Sequence, residues 1–154
     1  MERLWEPGSQ CPVCGQNAVA VTDAPIEEEV SGECYQIDGI TRNVCRACGE
    51  EFYRAGQMDE ILRRAVTTAR TSLGRLSADE IREMRFALGL TQADLEQQLG
   101  VSAGAVGRWE RSEVLQGATV DRLMRVIGAH PELMPELGYV AREGRGPYRT
   151  RKGS

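Results

Sequence analysis

The sequence predicts an α+β protein in which a small β-rich module precedes an all-α domain. Two C-x-x-C-G motifs, Cys11–Gly15 and Cys45–Gly49, flank a glycine-punctuated stretch of β-like segments. From about Gln57 onward the apolar residues recur at helical spacing, and short helical segments fill the second half. We expect a cysteine-containing module with a trailing helix over residues 1–70, a linker over 71–77, a helical domain over 78–140 and a disordered tail over 141–154.

The first module is predicted to contain strands and one helix. The segments "NAVAVTD" and "ECYQIDGITRNVC" are predicted to be strands, with Asp38-Gly39 as a hairpin turn. The acidic run "PIEEEVSGE", residues 25–33, is predicted to be a solvated loop, with a patch for a basic partner as the alternative. The trailing helix is predicted to end at Gly74. Its apolar positions are Met58, Ile61, Leu62, Ala65, Val66 and Ala69.

Three of the predicted helices of the second half have a capping signal at their start. Ser77 precedes the first helix with Glu80 three residues later, and Thr91 precedes the second with Asp94 in the same relation. Ser102 is predicted to cap the third helix. The segment "TVDRLMRVIGAH" is predicted to be a fourth helix, and "PELMPEL", which begins with proline, adds a further turn or two.

The paired cysteines predict a metal site. In a C-x-x-C-G motif the chain turns so that both sulfurs point at one ion, and two motifs supply the four thiolates of a structural tetrahedral zinc site. A module this small has little core, and a metal ion would supply the missing stability. Rubredoxin-type iron and a dithiol redox site are the alternatives, although the chain is only 5% aromatic. The predicted zinc ligands are Cys11, Cys14, Cys45 and Cys48.

Two crossing helices are predicted around Gly100. Leu95 and Leu99 are apolar at i, i+4 before the glycine, and Val106 and Trp109 are apolar at i, i+3 after it. This layout resembles the Cro/CI-like helix-turn-helix of phage repressors, and the resemblance covers roughly residues 77–130. Glu96 departs from that pattern, because such folds usually carry a small residue there, and we expect it to crowd the two helices.

In that fold the third helix enters the major groove of DNA with its N-terminal end leading. We expect small outward-facing residues to let the helix approach base edges, and Arg108 to hold guanine O6 and N7 with its guanidinium group. Gln92 is placed for a phosphate or an edge base, and Arg82 and Arg85 are further phosphate candidates. The predicted DNA-binding residues are Gln92, Ser102, Ala103, Gly104, Gly107, Arg108 and Arg111.

A zinc-bound β-rich module followed by a Cro/CI-like domain resembles the MqsA/YgiT-type antitoxins of bacterial toxin–antitoxin systems. The resemblance rests on "CPVCG", "CRACGEEF", "LTQADLEQQLG", "GRWERSE" and "RLMRVIGAHPELMPEL". It implies a structural zinc ion, a dimeric DNA-binding domain that represses its own operon, and an N-terminal part that binds an RNase toxin. Arg108 matches the base-reading arginine of the family, whereas Gly104 stands where the family carries a base-reading asparagine. A zinc-finger regulator without a toxin partner is the alternative.

The charge distribution and the hydropathy of the sequence narrow the classes of function that the protein can have. Residues 1–70 carry a net charge of −5 and residues 71–154 carry +1, so a nucleic-acid face belongs to the second half and the acidic half suits a basic partner. The sequence has no apolar run long enough to span a membrane and no secretory h-region, so we expect a cytoplasmic protein. We expect no enzyme, because His130 is the only histidine and no phosphate-cradling loop occurs. A redox-responsive protein and a protein-interaction adaptor are the rival classes.

Three smaller expectations concern single residues and one apolar stripe. Cys34 is expected to be a small buried apolar residue, with a sensor thiol near the zinc as the alternative. His130 is expected to be a helix-end residue and not a metal ligand. The stripe is predicted to serve either a homodimer interface or the core, and consists of Val120, Leu123, Met124, Ile127, Leu133, Met134 and Leu137.

Overall fold

The computed structural model describes residues 5–137 and confirms the α+β fold. The strands are β1 (Val19–Thr22), β2 (Ile26–Val30), β3 (Glu33–Ile37), β4 (Arg42–Cys45) and β5 (Glu51–Phe52). The helices are α1 (Gln57–Ser72), α2 (Ala78–Ala87), α3 (Gln92–Leu99), α4 (Ala105–Glu110) and α5 (Ala118–Ala129), followed by a 3-10 helix over Pro131–Leu137. The tail predicted over 141–154 lies outside the described residues.

The strands form two small antiparallel sheets, one with the order β1-β4-β5 and one containing only β2 and β3. The hairpin predicted at Asp38-Gly39 is wrong, because β3 pairs with β2 and the segment after it crosses to the other sheet. The tight turn lies instead at Ser31 and Gly32, which have φ of 56° and 85°. Positive φ at both central residues is what a two-residue hairpin turn requires. The loop predicted over 25–33 is also wrong, since most of it is β2.

Helix α1 covers the β2–β3 sheet and closes a small core. Its buried side chains Ile61 and Ala65 pack against Ile26, Ile37 and Ile40. The predicted apolar positions Val66 and Ala69 are buried as well, whereas Met58 and Leu62 are exposed. The helix continues to Ser72, so the first two residues of the predicted linker are helical, and Gly74 follows with φ of 60°.

The second core lies among α2, α3, α4 and α5. Both predicted capping boxes are present: Ser77 with Glu80 opens α2, and Thr91 with Asp94 opens α3. Each box satisfies backbone N–H groups that a helix leaves unpaired at its start. The buried members of this core are Ile81, Leu95, Leu99, Ala105, Val106, Trp109, Met124 and Ile127.

Most of the apolar stripe predicted for either a dimer or a core belongs to the core. Met124 and Ile127 are fully buried, and Val120, Leu123 and Met134 pack against the core while partly buried. The other two members, both in the 3-10 helix, are about 40% exposed. His130 caps the C-terminus of α5, as predicted. Across residues 5–137, none of the helices combines the length and the apolar character that crossing a bilayer requires.

Candidate functional site

The two cysteine motifs bring four sulfurs together beside the three-stranded sheet. All four sulfur atoms lie within 4.8 Å of one another. Cys11 and Cys48 are 3.8 Å apart at their sulfurs, and Cys14 and Cys45 are 3.6 Å apart. A tetrahedral ion with metal–sulfur bonds of about 2.3 Å places its sulfurs about 3.8 Å from one another. The cluster therefore fits a tetrahedrally coordinated metal ion.

Local backbone geometry makes each motif a metal knuckle. Gly15 and Gly49 have φ of 75° and 79°, and their N–H groups donate to the carbonyls of Cys11 and Cys45 at 2.9 and 2.8 Å. Glycine adopts this left-handed conformation without strain, which explains the residue after each C-x-x-C. Backbone hydrogen bonds, first from Cys48, lower the pKa of the Cys45 thiol to about 7, whereas burial and the neighbouring thiols outweigh a backbone hydrogen bond from Glu50 and raise the pKa of the Cys48 thiol to about 12. Such bonds favour the thiolate that a metal ion requires.

The four cysteines form the donor set of a structural metal site. Cys11 and Cys45 are buried, while Cys14 and Cys48 are exposed at the surface. Four protein sulfurs complete a tetrahedral shell, so no coordination position remains for a substrate. Cys34 is not part of this cluster and is exposed on β3, so the expectation that it is a buried core residue is wrong.

Helix α4 begins later than predicted and is capped differently. It starts at Ala105, after Gly104 with φ of 81°, and Ser102 makes no side-chain cap, so the Ser102 prediction is wrong. Glu96 of α3 supplies the missing acceptor, because its Oε1 accepts the N–H of Val106 at 3.0 Å. Glu96 therefore joins α3 to α4 and does not crowd them. The sequence could not predict this contact, because Glu96 and Val106 are ten positions apart in the chain.

The predicted DNA-binding residues cluster on one surface. Gly107 differs from the expectation because it is buried. A Cβ at this position would lie 3.1 Å from Gln92 Oε1 and 3.1 Å from Arg111 Nη1, so these two side chains cover it. The exposed members of the set are Gln92, Ser102, Ala103, Gly104, Arg108 and Arg111.

The three long side chains of this surface differ in their partners. Arg111 donates to both carboxylate oxygens of Glu113, at 2.7 and 3.2 Å, and Gln92 Nε2 donates to Glu110 Oε2 at 2.8 Å. Within residues 5–137 the Arg108 guanidinium makes no hydrogen bond or ion pair. Arg108 is therefore a solvated cation with all five donors available to a ligand.

Arg85 and Arg82, predicted as phosphate contacts, belong to an internal network instead. Arg85 is 7% exposed and donates to both carboxylate oxygens of Glu110, at 2.6 and 3.1 Å. Arg82 is half-buried and donates to the Glu110 carbonyl at 2.8 Å and to Asp79 at 3.0 Å. Burial by itself raises the pKa of Glu110, but hydrogen bonds from Arg85 and Gln92 lower it overall. The prediction for Arg85 is wrong, and this network holds α2, α3 and α4 together.

Comparison with known proteins gives the family. The sequence profile of the family described as "Antitoxin component of bacterial toxin-antitoxin system, MqsA" matches residues 9–138. The chain is 26% identical over 130 residues to "Antitoxin MqsA" of Escherichia coli (strain K12), covering 83% of this chain and 98% of that protein. It is 38% identical over 61 residues to "Uncharacterized HTH-type transcriptional regulator YiaG" of Escherichia coli (strain K12), covering 40% of this chain and 64% of that protein. The family match includes the cysteine cluster and all helices of the second core, and the chain therefore belongs to the MqsA family of antitoxin components of bacterial toxin–antitoxin systems.

Proposed function

We propose that the protein is a sequence-specific DNA-binding repressor of its own operon and the antitoxin of a type II toxin–antitoxin pair. The observation that carries the DNA-binding part is the solvated Arg108 on the exposed side of α4, with small residues on the same surface. Family membership and the resemblance to a regulator named as HTH-type support the same conclusion.

The side chains of the surface have distinct roles in this proposal. Arg108 reads guanine through a bidentate contact in the major groove. Ala103 and Gly104 allow the close approach and offer only apolar contact, while Ser102 and Arg111 contact phosphates. Glu110 holds the amide of Gln92 at the start of α3, so that this side chain is oriented before DNA arrives.

The metal in this proposal is one structural zinc ion per chain. Cys11, Cys14, Cys45 and Cys48 would hold it, and their donor set suits zinc or iron equally by geometry. Zinc would tie the turn before β1 to the turn after β4, and its chemistry would be that of a cross-link. The buried residues packed at the cluster are few, namely Val19 and the two buried cysteines. The fold of this sheet therefore depends on the ion.

The proposed partners are operator DNA, a second copy of the chain and an RNase toxin bound through the N-terminal half. A two-fold operator requires two α4 helices spaced by about one turn of DNA, roughly 34 Å, which a homodimer provides. The net charge of −5 over residues 1–70 suits a basic toxin. A regulator without a toxin partner is the second candidate, and the 38% identity to YiaG favours it.

The decisive experiment measures fluorescence anisotropy of the duplex upstream of the gene, with a scrambled duplex of the same composition as control. Repressor function predicts tight binding to the first duplex, much weaker binding to the second, and affinity that falls with salt. Equal and weak binding to both duplexes overturns it. Co-expression with the product of the adjacent gene then separates the two candidates, because only the antitoxin forms a complex with that protein and neutralises its toxicity.

A further inference from the structure

Helix α4 ends in a turn of the Schellman type. The N–H of Glu113 donates to the Arg108 carbonyl at 2.9 Å, and the N–H of Ser112 donates to the Trp109 carbonyl at 3.0 Å. Ser112 has the left-handed φ, 56°, that this turn requires. The turn folds the chain back on the end of the helix and brings residue 113 next to Arg108, the predicted base-reading residue.

Glu113 is an acidic side chain at the edge of the predicted DNA-binding surface. Its carboxylate accepts from Arg111 Nε at 2.7 Å and from Arg111 Nη2 at 3.2 Å, and both side chains are exposed. The hydrogen bond from Arg111 lowers the pKa of Glu113 below its ordinary value, and the positive charges of Arg108 and Arg63 act in the same direction. The carboxylate is therefore ionised at neutral pH and interacts with both arginines of the surface.

The contact with Glu113 changes what Arg111 can offer to DNA. A guanidinium group has five N–H donors, and two of those of Arg111 are directed at the carboxylate, so three remain for a phosphate. The negative charge of Glu113 offsets the positive charge of Arg111, and a phosphate that approaches this pair meets a net charge of about zero. Of the seven predicted DNA-binding residues only Arg108 and Arg111 are charged, so Glu113 halves the net positive charge of the surface.

We propose that Glu113 limits the affinity of this surface for DNA of any sequence, because it competes with phosphate for the Arg111 guanidinium. Phosphate contacts hold a protein on every duplex, whereas contacts to base edges distinguish one duplex from another. Glu113 weakens the first kind of contact and leaves the sequence preference to Arg108. This inference rests on the proposed DNA-binding function and adds to it a residue that opposes binding.

The test uses the full chain with Glu113→Gln, and Glu132→Gln as the matched control. Glu132 is also exposed and also contacts a basic side chain, since its Oε1 lies 3.1 Å from His130 Nδ1. Both substitutions remove one negative charge, so they change the net charge of the protein equally. Anisotropy is measured on the upstream and scrambled duplexes over a range of salt concentrations, and circular dichroism checks that each variant is folded.

We expect Glu113→Gln to bind both duplexes more tightly and by the same factor. One further phosphate contact steepens the dependence of log affinity on log salt by about 0.9, which is roughly 8-fold in affinity for each tenfold decrease in salt. The gain is therefore largest at low salt, and the ratio of the two affinities stays unchanged. The control gains much less, because His130 lies at the end of α5 and not on α4. An unchanged affinity and salt slope for Glu113→Gln, or an equal gain in the control, overturns the inference.

A double-mutant cycle with Arg111→Gln shows whether Glu113 acts through Arg111. If it does, Glu113→Gln gives little gain in a chain that already carries Arg111→Gln, because no guanidinium group is left to release. The same gain with and without Arg111 means that Glu113 acts only as a separate negative charge, and it overturns the competition. The gain is measured on the scrambled duplex as well. Failure of the unmodified protein to prefer the upstream duplex therefore overturns the proposed function and not this inference.

Discussion

Replacing Glu110 with glutamine removes one negative charge from the interior of the helical domain and keeps the size of the side chain. The carboxylate is 5% exposed and accepts three hydrogen bonds, two from Arg85 and one from Gln92, at 2.6 to 3.1 Å. The amide that replaces it has one acceptor oxygen, and its NH₂ group faces donors. Arg85 then keeps its charge at 7% exposure without a counter-ion.

Removing one partner of a buried ion pair costs about 3–5 kcal/mol. The glutamine oxygen can still accept a hydrogen bond from Arg85. We therefore expect Glu110→Gln to lower the free energy of unfolding by about 3 kcal/mol, the lower end of this range. With a urea m-value of about 1–3 kcal/mol/M, this loss moves the denaturation midpoint down by roughly 1–3 M. Since domains are stable by only about 5–15 kcal/mol, the change is large.

The assay is urea unfolding of the full chain followed by helical circular dichroism, with m-values compared between variants. Glu113→Gln is the matched control, because its ion pair with Arg111 is exposed on both sides and such pairs are worth about 0–1 kcal/mol. A midpoint for Glu110→Gln that matches the control would refute the reasoning that the Arg85–Glu110 pair stabilises the contact of α2 with α4.

Three further predictions concern the metal, the base contact and pH. Removing the metal with a chelator, or replacing Cys11 with serine, is expected to unfold the β1-β4-β5 sheet, while the helical core still unfolds in a separate transition. Amide hydrogen exchange that stays slow at β1 and β4 in the metal-free protein would contradict this prediction. Arg108→Ala is expected to weaken operator binding by about 1–3 kcal/mol and relax the sequence preference; unchanged discrimination against scrambled DNA would count against it. Stability is expected to fall as pH drops below about 4.5. Glu110 and Asp121 have folded pKa values below their ordinary 4.5 and 3.8, so the stability they contribute is complete above those values and is lost in acid. Urea midpoints equal at pH 7 and pH 3 would show that neither carboxylate contributes.

Some local signals in the sequence predicted local structure, whereas two others, the Ser102 cap and the Asp38-Gly39 hairpin turn, were wrong. Ser77 and Thr91 cap their helices as expected because a capping box requires only residues three positions apart. The cysteine motifs were informative for the same reason, since each turn is encoded within five residues. The pairing of the two motifs followed from chemistry, because four thiolates of one ion must meet.

Features that depend on distant partners could not be predicted. Asp38-Gly39 has the sequence of a hairpin turn, but β3 pairs with β2 across a different turn. In β2 the apolar residues Ile26 and Val30 face the core. The three consecutive glutamates between them obscure the apolar–polar alternation that would predict a strand. Arg85 was predicted as a phosphate contact and Arg70 was not singled out, because their acceptors lie 25 and 39 to 46 positions away.

Two glycines of the surface proposed to bind DNA differ in what restricts a substitution. A Cβ at Gly107 would lie 3.1 Å from the ends of the Gln92 and Arg111 side chains, so a substitution there requires these two flexible side chains to shift. Gly104 has open space around it but a φ of 81°, which restricts it to glycine or to residues such as asparagine that tolerate a left-handed backbone. Exposed positions 103 and 108 carry neither restriction. In the proposed DNA complex, a substitution at position 103 or 108 would therefore change the contacts to bases without disturbing the neighbouring side chains or the backbone.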